Sequence, residues 1–141
     1  MTEVRRAWLV FHGALVLVLG MAAGFGFATA IGDEAGVRAW RMAHLEGVLN
    51  GLVLIGAGAA GSLLRLGDGA QRLLVWSLAI TAWANTVASV IAASAGVRGL
   101  QPGGPLANNV VFVLFLVAVV TVFVGLFCLA IGAWQRARGG S

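Results

Sequence analysis

Four uninterrupted apolar blocks, at about 7–31, 42–64, 73–95 and 109–134, leave this chain few folds to choose from. Each reaches the roughly 20 residues that an α-helix needs to cross a hydrocarbon core about 30 Å thick. The blocks are continuously apolar, which excludes the alternating segments of about ten residues that build a transmembrane β-barrel. The sequence therefore predicts an all-α polytopic membrane protein, a single four-helix transmembrane bundle. Only 10% of its residues are charged, against about a quarter in a soluble domain. Arg5, Arg6 and the small residues Ala28-Thr29-Ala30 mimic a signal peptide, but the first block far exceeds a signal h-region of about 7 to 15 residues. It is expected to stay as a span.

Four crossings put both termini on one side. Arg5, Arg6, Arg65, Arg72, Arg136 and Arg138 flank the ends and the middle connection, whereas Arg38, Arg41 and Arg98 belong to the other two connections. The positive-inside rule then places both termini in the cytoplasm, in a bacterial-type inner membrane. The net charge of +4 is all arginine, spread over both faces without interleaved aromatics. Nucleic-acid binding has no support, and these arginines suit lipid phosphates or the anionic groups of a bound molecule. The lone Cys128 excludes an intrachain disulfide and any multi-cysteine metal site.

Short connections make consecutive helices antiparallel neighbours. The stretch RLGDGAQR, 65–72, reads as a tight turn, and GVRGLQPGGPLANN, 96–109, as an ordered outer loop suited to a lid or cofactor wall. Gly20 with Gly24, and Gly47 with Gly51, are small-xxx-small pairs that bring helices, or a flat ligand, close. Glycine-rich faces on only four spans predict a homo-oligomer.

An ionisable or amide side chain inside hydrocarbon is costly, so each such residue is a candidate for function. Here they are His12, His44, Glu46, Asn50 and Asn85. In RMAHLEGVLNG, Gly47 and Gly51 follow His44 at i+3 and i+7. An imidazole above two residues without side chains leaves room for a planar macrocycle, although an interfacial histidine bonded to a carbonyl, with the glycines serving helix packing, satisfies the same spacing. Asn50 lies about 9 Å deeper along the axis and Asn85 at a similar depth on the third helix, so the two amides face one another or a common cavity. Glu46 shares a face with Asn50 and is expected to pair with Arg41 or Arg38. Those two arginines anchor the topology or clamp cofactor carboxylates beside the histidine. His12 stands roughly 20 Å from the level of His44, too far to share one metal. Trp8, Trp40, Trp76 and Trp134 lie near span ends, whereas Trp83 is deeper.

Together RMAHLEGVLNG, WANTVASVIAAS, RGLQPGGPLANN and the pair His12-Gly13 resemble, in helix order, the corresponding segments of styrene oxide isomerase. The resemblance implies a homotrimer with haem b near its subunit interfaces. In that family a ferric iron held by one axial histidine acts as a Lewis acid on an epoxide oxygen, and ring opening with a hydride shift gives an aldehyde. On matching positions His44 would be the axial ligand, Asn50 would orient the substrate oxygen and Asn85 would line or support the pocket; by their spacing around His44, Gly47, Gly51, Arg38 and Arg41 are further cofactor-binding candidates. The partners so implied are a small apolar epoxide and the lipid bilayer. The family has a tyrosine four residues after the WAN asparagine, where this chain has Ser89, and the chain contains no tyrosine. That change points to an epoxide other than styrene oxide or to another use of haem. A noncatalytic haem protein for gas sensing or electron transfer, and a cofactor-free structural oligomer, remain alternatives.

Overall fold

Helices dominate because nothing in the apolar blocks breaks them, and their ends are set by polar caps. The computed structural model describes residues 1–139. It contains α1 (Glu3–Thr29), α2 (Glu34–Ala60), α3 (Asp68–Ala95) and α4 (Leu106–Arg138), with one 3-10 turn at Gly61–Leu63. All four helices are long and apolar enough to cross a membrane, and the described residues contain no strand.

All four helices start before their apolar blocks, whereas α1 and α2 end short of theirs, at Thr29 and Ala60. Most notably, α2 starts at Glu34 instead of near 42, because the Asp33 side chain accepts hydrogen bonds from the Ala35 and Gly36 amides, each at 3.1 Å. Capping two of the otherwise orphaned N–H groups suffices to carry the helix through EAGVRAWR. Arg38 and Arg41 are therefore helical residues, not loop residues.

The chain runs up and down. At one end the Met1 amino group donates to the Gly61 carbonyl at 3.1 Å, Arg6 Nε donates to the Gly58 carbonyl at 3.1 Å, and Arg5 pairs with Asp68 at 2.6 Å. The Arg65 amide also donates to the Gly132 carbonyl of α4, at 3.0 Å. These bonds gather both termini and the α2–α3 connection. The other two connections lie at the opposite end.

Glycines decide how α1 meets α2. A Cβ on Gly20 would come within 2.6 Å of the Gly47 carbonyl carbon, and one on Gly13 within 2.8 Å of the Gly51 oxygen. The two backbones touch without intervening side chains, the close packing that small residues permit in membranes. Helix α3 lies against α1, α2 and α4, and buries Leu74, Val75, Leu78 and Ala82 in the core. Helix α4 packs chiefly on α3, through Gly125 against Leu78 and a Thr81–Thr121 hydroxyl bond of 2.8 Å. Its other faces stay open, with Phe123 and Phe127 each 70% exposed.

Candidate functional site

His44 points from α2 toward α1, and its Nδ1 lies 2.9 Å from the Gly20 carbonyl oxygen. A carbonyl can only accept, so Nδ1 carries the proton and donates it; in the neutral ring Nε2 then keeps a free lone pair. Gly24, one turn along α1, makes room for the ring, since a Cβ there would stand 3.3 Å from Nδ1. Sequence reasoning had paired Gly20 with Gly24 but missed that both serve the histidine. The legible signal was their i, i+4 spacing on one face of α1.

The open groove expected over Gly47 and Gly51 is not there. Both glycines are buried, and the space above them is taken by the α1 backbone at Gly20, Gly13 and Leu17. Their contacts are those of helix packing, and any flat ligand at His44 has to approach from the outer flank of the α1–α2 seam. Arg41, three residues before His44, is exposed on that flank.

Glu46 is the hub of a second cluster. Asn50 Nδ2 donates to the Glu46 backbone oxygen at 2.8 Å and to its Oε2 at 3.0 Å, and Asn85 Nδ2 donates to the same Oε2 from α3. The two amides do meet at a common point, but through a carboxylate. This corrects the expectation that Glu46 pairs with Arg41 or Arg38: Arg41 lies about 140° round the helix from it, and Arg38 pairs with Glu34 at 3.6 Å. The donor inventory also matters. Both Asn50 N–H groups are committed to Glu46, whereas Asn85 keeps one.

Glu46 and Ser89 line a cleft of about 480 Å³ between α2 and α3, at the end of the bundle that carries the α1–α2 and α3–α4 connections. Ala39, Met42, Ala92, Ala93 and Phe115 supply apolar wall, Arg38, Asp33 and Arg98 add charge, and Val97 and Leu100 of the α3–α4 loop close one side. That loop is ordered by two asparagines at the start of α4. Asn108 Oδ1 accepts from the Gly99 amide at 2.9 Å, its Nδ2 donates to the Gln101 and Gly103 carbonyls at 2.9 Å each, and Asn109 Oδ1 accepts from the Gly103 amide at 2.7 Å. Positive φ values at Gly96, Gly99, Gly103 and Gly104 allow the turns between them.

His44 does not reach this cleft. Residues two apart on a helix point about 160° from one another, so His44 and Glu46 project to different sides of α2, with α1 packed along the seam beside the imidazole. His12 belongs to neither site: its Nδ1 accepts from Trp83 Nε1 at 3.2 Å, and its ring stacks on Trp8 with centroids 5.4 Å apart. Among the described residues no group of three or more His, Cys, Asp or Glu gathers as a metal cluster.

Thr86, fully buried beside Gly47, has an Oγ1 without a hydrogen-bond partner. A buried unpaired hydroxyl costs about 1–3 kcal/mol, and valine fills the same shape without it. Thr86→Val is expected to stabilise the protein by about 1 kcal/mol, read as a higher midpoint in denaturant unfolding of the purified protein in detergent.

Fold and clusters together define a four-span helical membrane protein with a free imidazole nitrogen on one flank and, on another, a cleft lined by the Glu46 carboxylate that Asn50 and Asn85 hold. A family model described as styrene oxide isomerase (SOI) matches residues 5–134, nearly the whole chain, and the chain belongs to that family. No curated protein matches it.

Proposed function

We propose that this protein is a haem b-dependent epoxide isomerase that rearranges an epoxide to an aldehyde. The observation that carries the reading is the Nδ1–H bond from His44 to Gly20, which leaves the Nε2 lone pair free for a metal. The donor set suits a haem with one protein ligand, because His12 is held elsewhere by Trp83 and Trp8. His44 Nε2 would hold the haem, whose ferric iron would supply Lewis acidity toward an epoxide oxygen.

The chain's own residues then divide the work. Gly20 fixes the tautomer and orientation of His44. Exposed Arg41, on the same flank, suits a carboxylate of the bound cofactor. Asn85 holds the one uncommitted amide N–H near the cleft, available to an epoxide or product oxygen. Apolar cleft walls exclude water, which otherwise intercepts the cation that forms as a C–O bond opens. Because His44 and the cleft open on different sides of α2, one copy does not bring them together, which supports a homo-oligomer with haem near the subunit interfaces; a trimer is what the family resemblance implies. The arginine distribution supports an inner-membrane protein with both termini cytoplasmic.

The test is direct. Protein expressed with sufficient haem and purified in detergent should show a Soret band and convert epoxide to aldehyde without added reductant. A colourless preparation would sink the haem reading. A haem-loaded protein that binds carbon monoxide after reduction but turns over no epoxide would favour a gas-binding role.

A further inference from the structure

One side-chain oxygen of Glu46 and the Ser89 hydroxyl, both at the cleft, have no hydrogen-bond partner among the described residues. Glu46 Oε2 takes both asparagine amides, while Glu46 Oε1 has no hydrogen-bond partner among the described residues. Ser89 Oγ has none either, although Thr81, Ser94 and Thr121 all bond back to the carbonyl four residues earlier. Neither atom is sealed off, since the one fully buried side-chain polar atom without a partner among the described residues is Thr86 Oγ1. Both residues line the 480 Å³ cleft.

The bonds on Oε2 hold the Glu46 side chain in place and leave Oε1 as the acceptor on offer. A carboxylate oxygen accepts and does not donate. An epoxide oxygen is likewise only an acceptor, so a plain hydrocarbon epoxide would strip water from Oε1 and return nothing, a mismatch that such sites reject strongly. A ligand with a hydrogen-bond donor reverses that balance. With Glu46 and Asp33 set against Arg38 and Arg98, the cleft lining carries no net charge, which suits a neutral hydroxyl-bearing ligand. Ser89 Oγ, able to donate and accept, can bond the same hydroxyl.

We propose that the cleft selects an epoxide bearing a hydroxyl group, received by Glu46 Oε1 with Ser89 Oγ beside it. This rests on the epoxide-isomerase reading only in naming an epoxide; the hydroxyl preference stands on the cleft itself. Two probe pairs separate the claims. Hydrocinnamyl alcohol and propylbenzene carry no epoxide, and their binding to the purified full-length protein is measured by calorimetry. Phenylglycidol and β-methylstyrene oxide share a skeleton and differ in the hydroxyl, and their turnover is compared by kcat/KM.

The wild type should favour the hydroxylated member of each pair by about 10- to 100-fold, and Glu46→Leu should bring both ratios close to one. Glu46→Gln keeps the size and a carbonyl acceptor, and should retain part of the preference even if the leucine variant does not fold. Equal binding of the two non-epoxide probes by the wild type overturns the proposal, as does a preference unchanged in folded Glu46→Leu. Intact probe preference with no turnover of either epoxide supports the hydroxyl site and overturns the isomerase reading instead.

Discussion

His44→Ala is expected to leave the purified protein without a Soret band, weakening haem retention by more than about 100-fold, while His12→Ala keeps the band. Changing only the partner of a metal-bound histidine typically costs 10–100-fold in affinity, and here the sole proposed ligand is lost. The contrast between the two histidines follows from their neighbours. His44 gives its Nδ1 proton to Gly20 at 2.9 Å, whereas His12 spends Nδ1 accepting from Trp83 at 3.2 Å. An intermediate variant sharpens the test. Gly24→Val crowds a ring that already lies 3.3 Å from where a Cβ would be, and should weaken haem retention by about 10-fold or more while the ligand itself remains. A full Soret band in His44→Ala would overturn the assignment.

The second large effect is expected from Gly47→Val. A Cβ at Gly47 would fall 2.7 Å from the Gly20 nitrogen and onto its Cα, and a backbone cannot swing aside as a side chain does. Helix α1 has to move out, at a cost of about 1–3 kcal/mol or more, seen as a lower thermal midpoint in detergent. The same displacement carries the Gly20 carbonyl away from His44. Haem retention should therefore fall together with stability. Gly56→Val is the matched control, because nothing lies within 4 Å of a Cβ there, and it should change neither quantity. A Gly47→Val protein as stable as the wild type would mean that the seam is looser than its geometry.

The helical, four-span architecture was legible because length and apolarity alone decide it. Helix α2 was read too short because the apolar block was taken for the helix; Asp33 followed by Glu34 was the available start signal. The site was legible residue by residue but not as an arrangement. Glu46 and Asn50 share a face by spacing, yet that Asn85 arrives at the same oxygen depends on how α3 is rotated against α2. No single-helix pattern encodes that rotation. The glycines after His44 posed the opposite problem: spacing allowed a ligand or a helix to fill the groove, and α1 fills it.

The bond between His44 and Gly20 also orders events in time. Its two members sit on the first two spans, so the imidazole has its proton placed as soon as the N-terminal hairpin closes in the bilayer. Helices α3 and α4 are not needed for that step. During synthesis the imidazole would be oriented before the α2–α3 cleft exists.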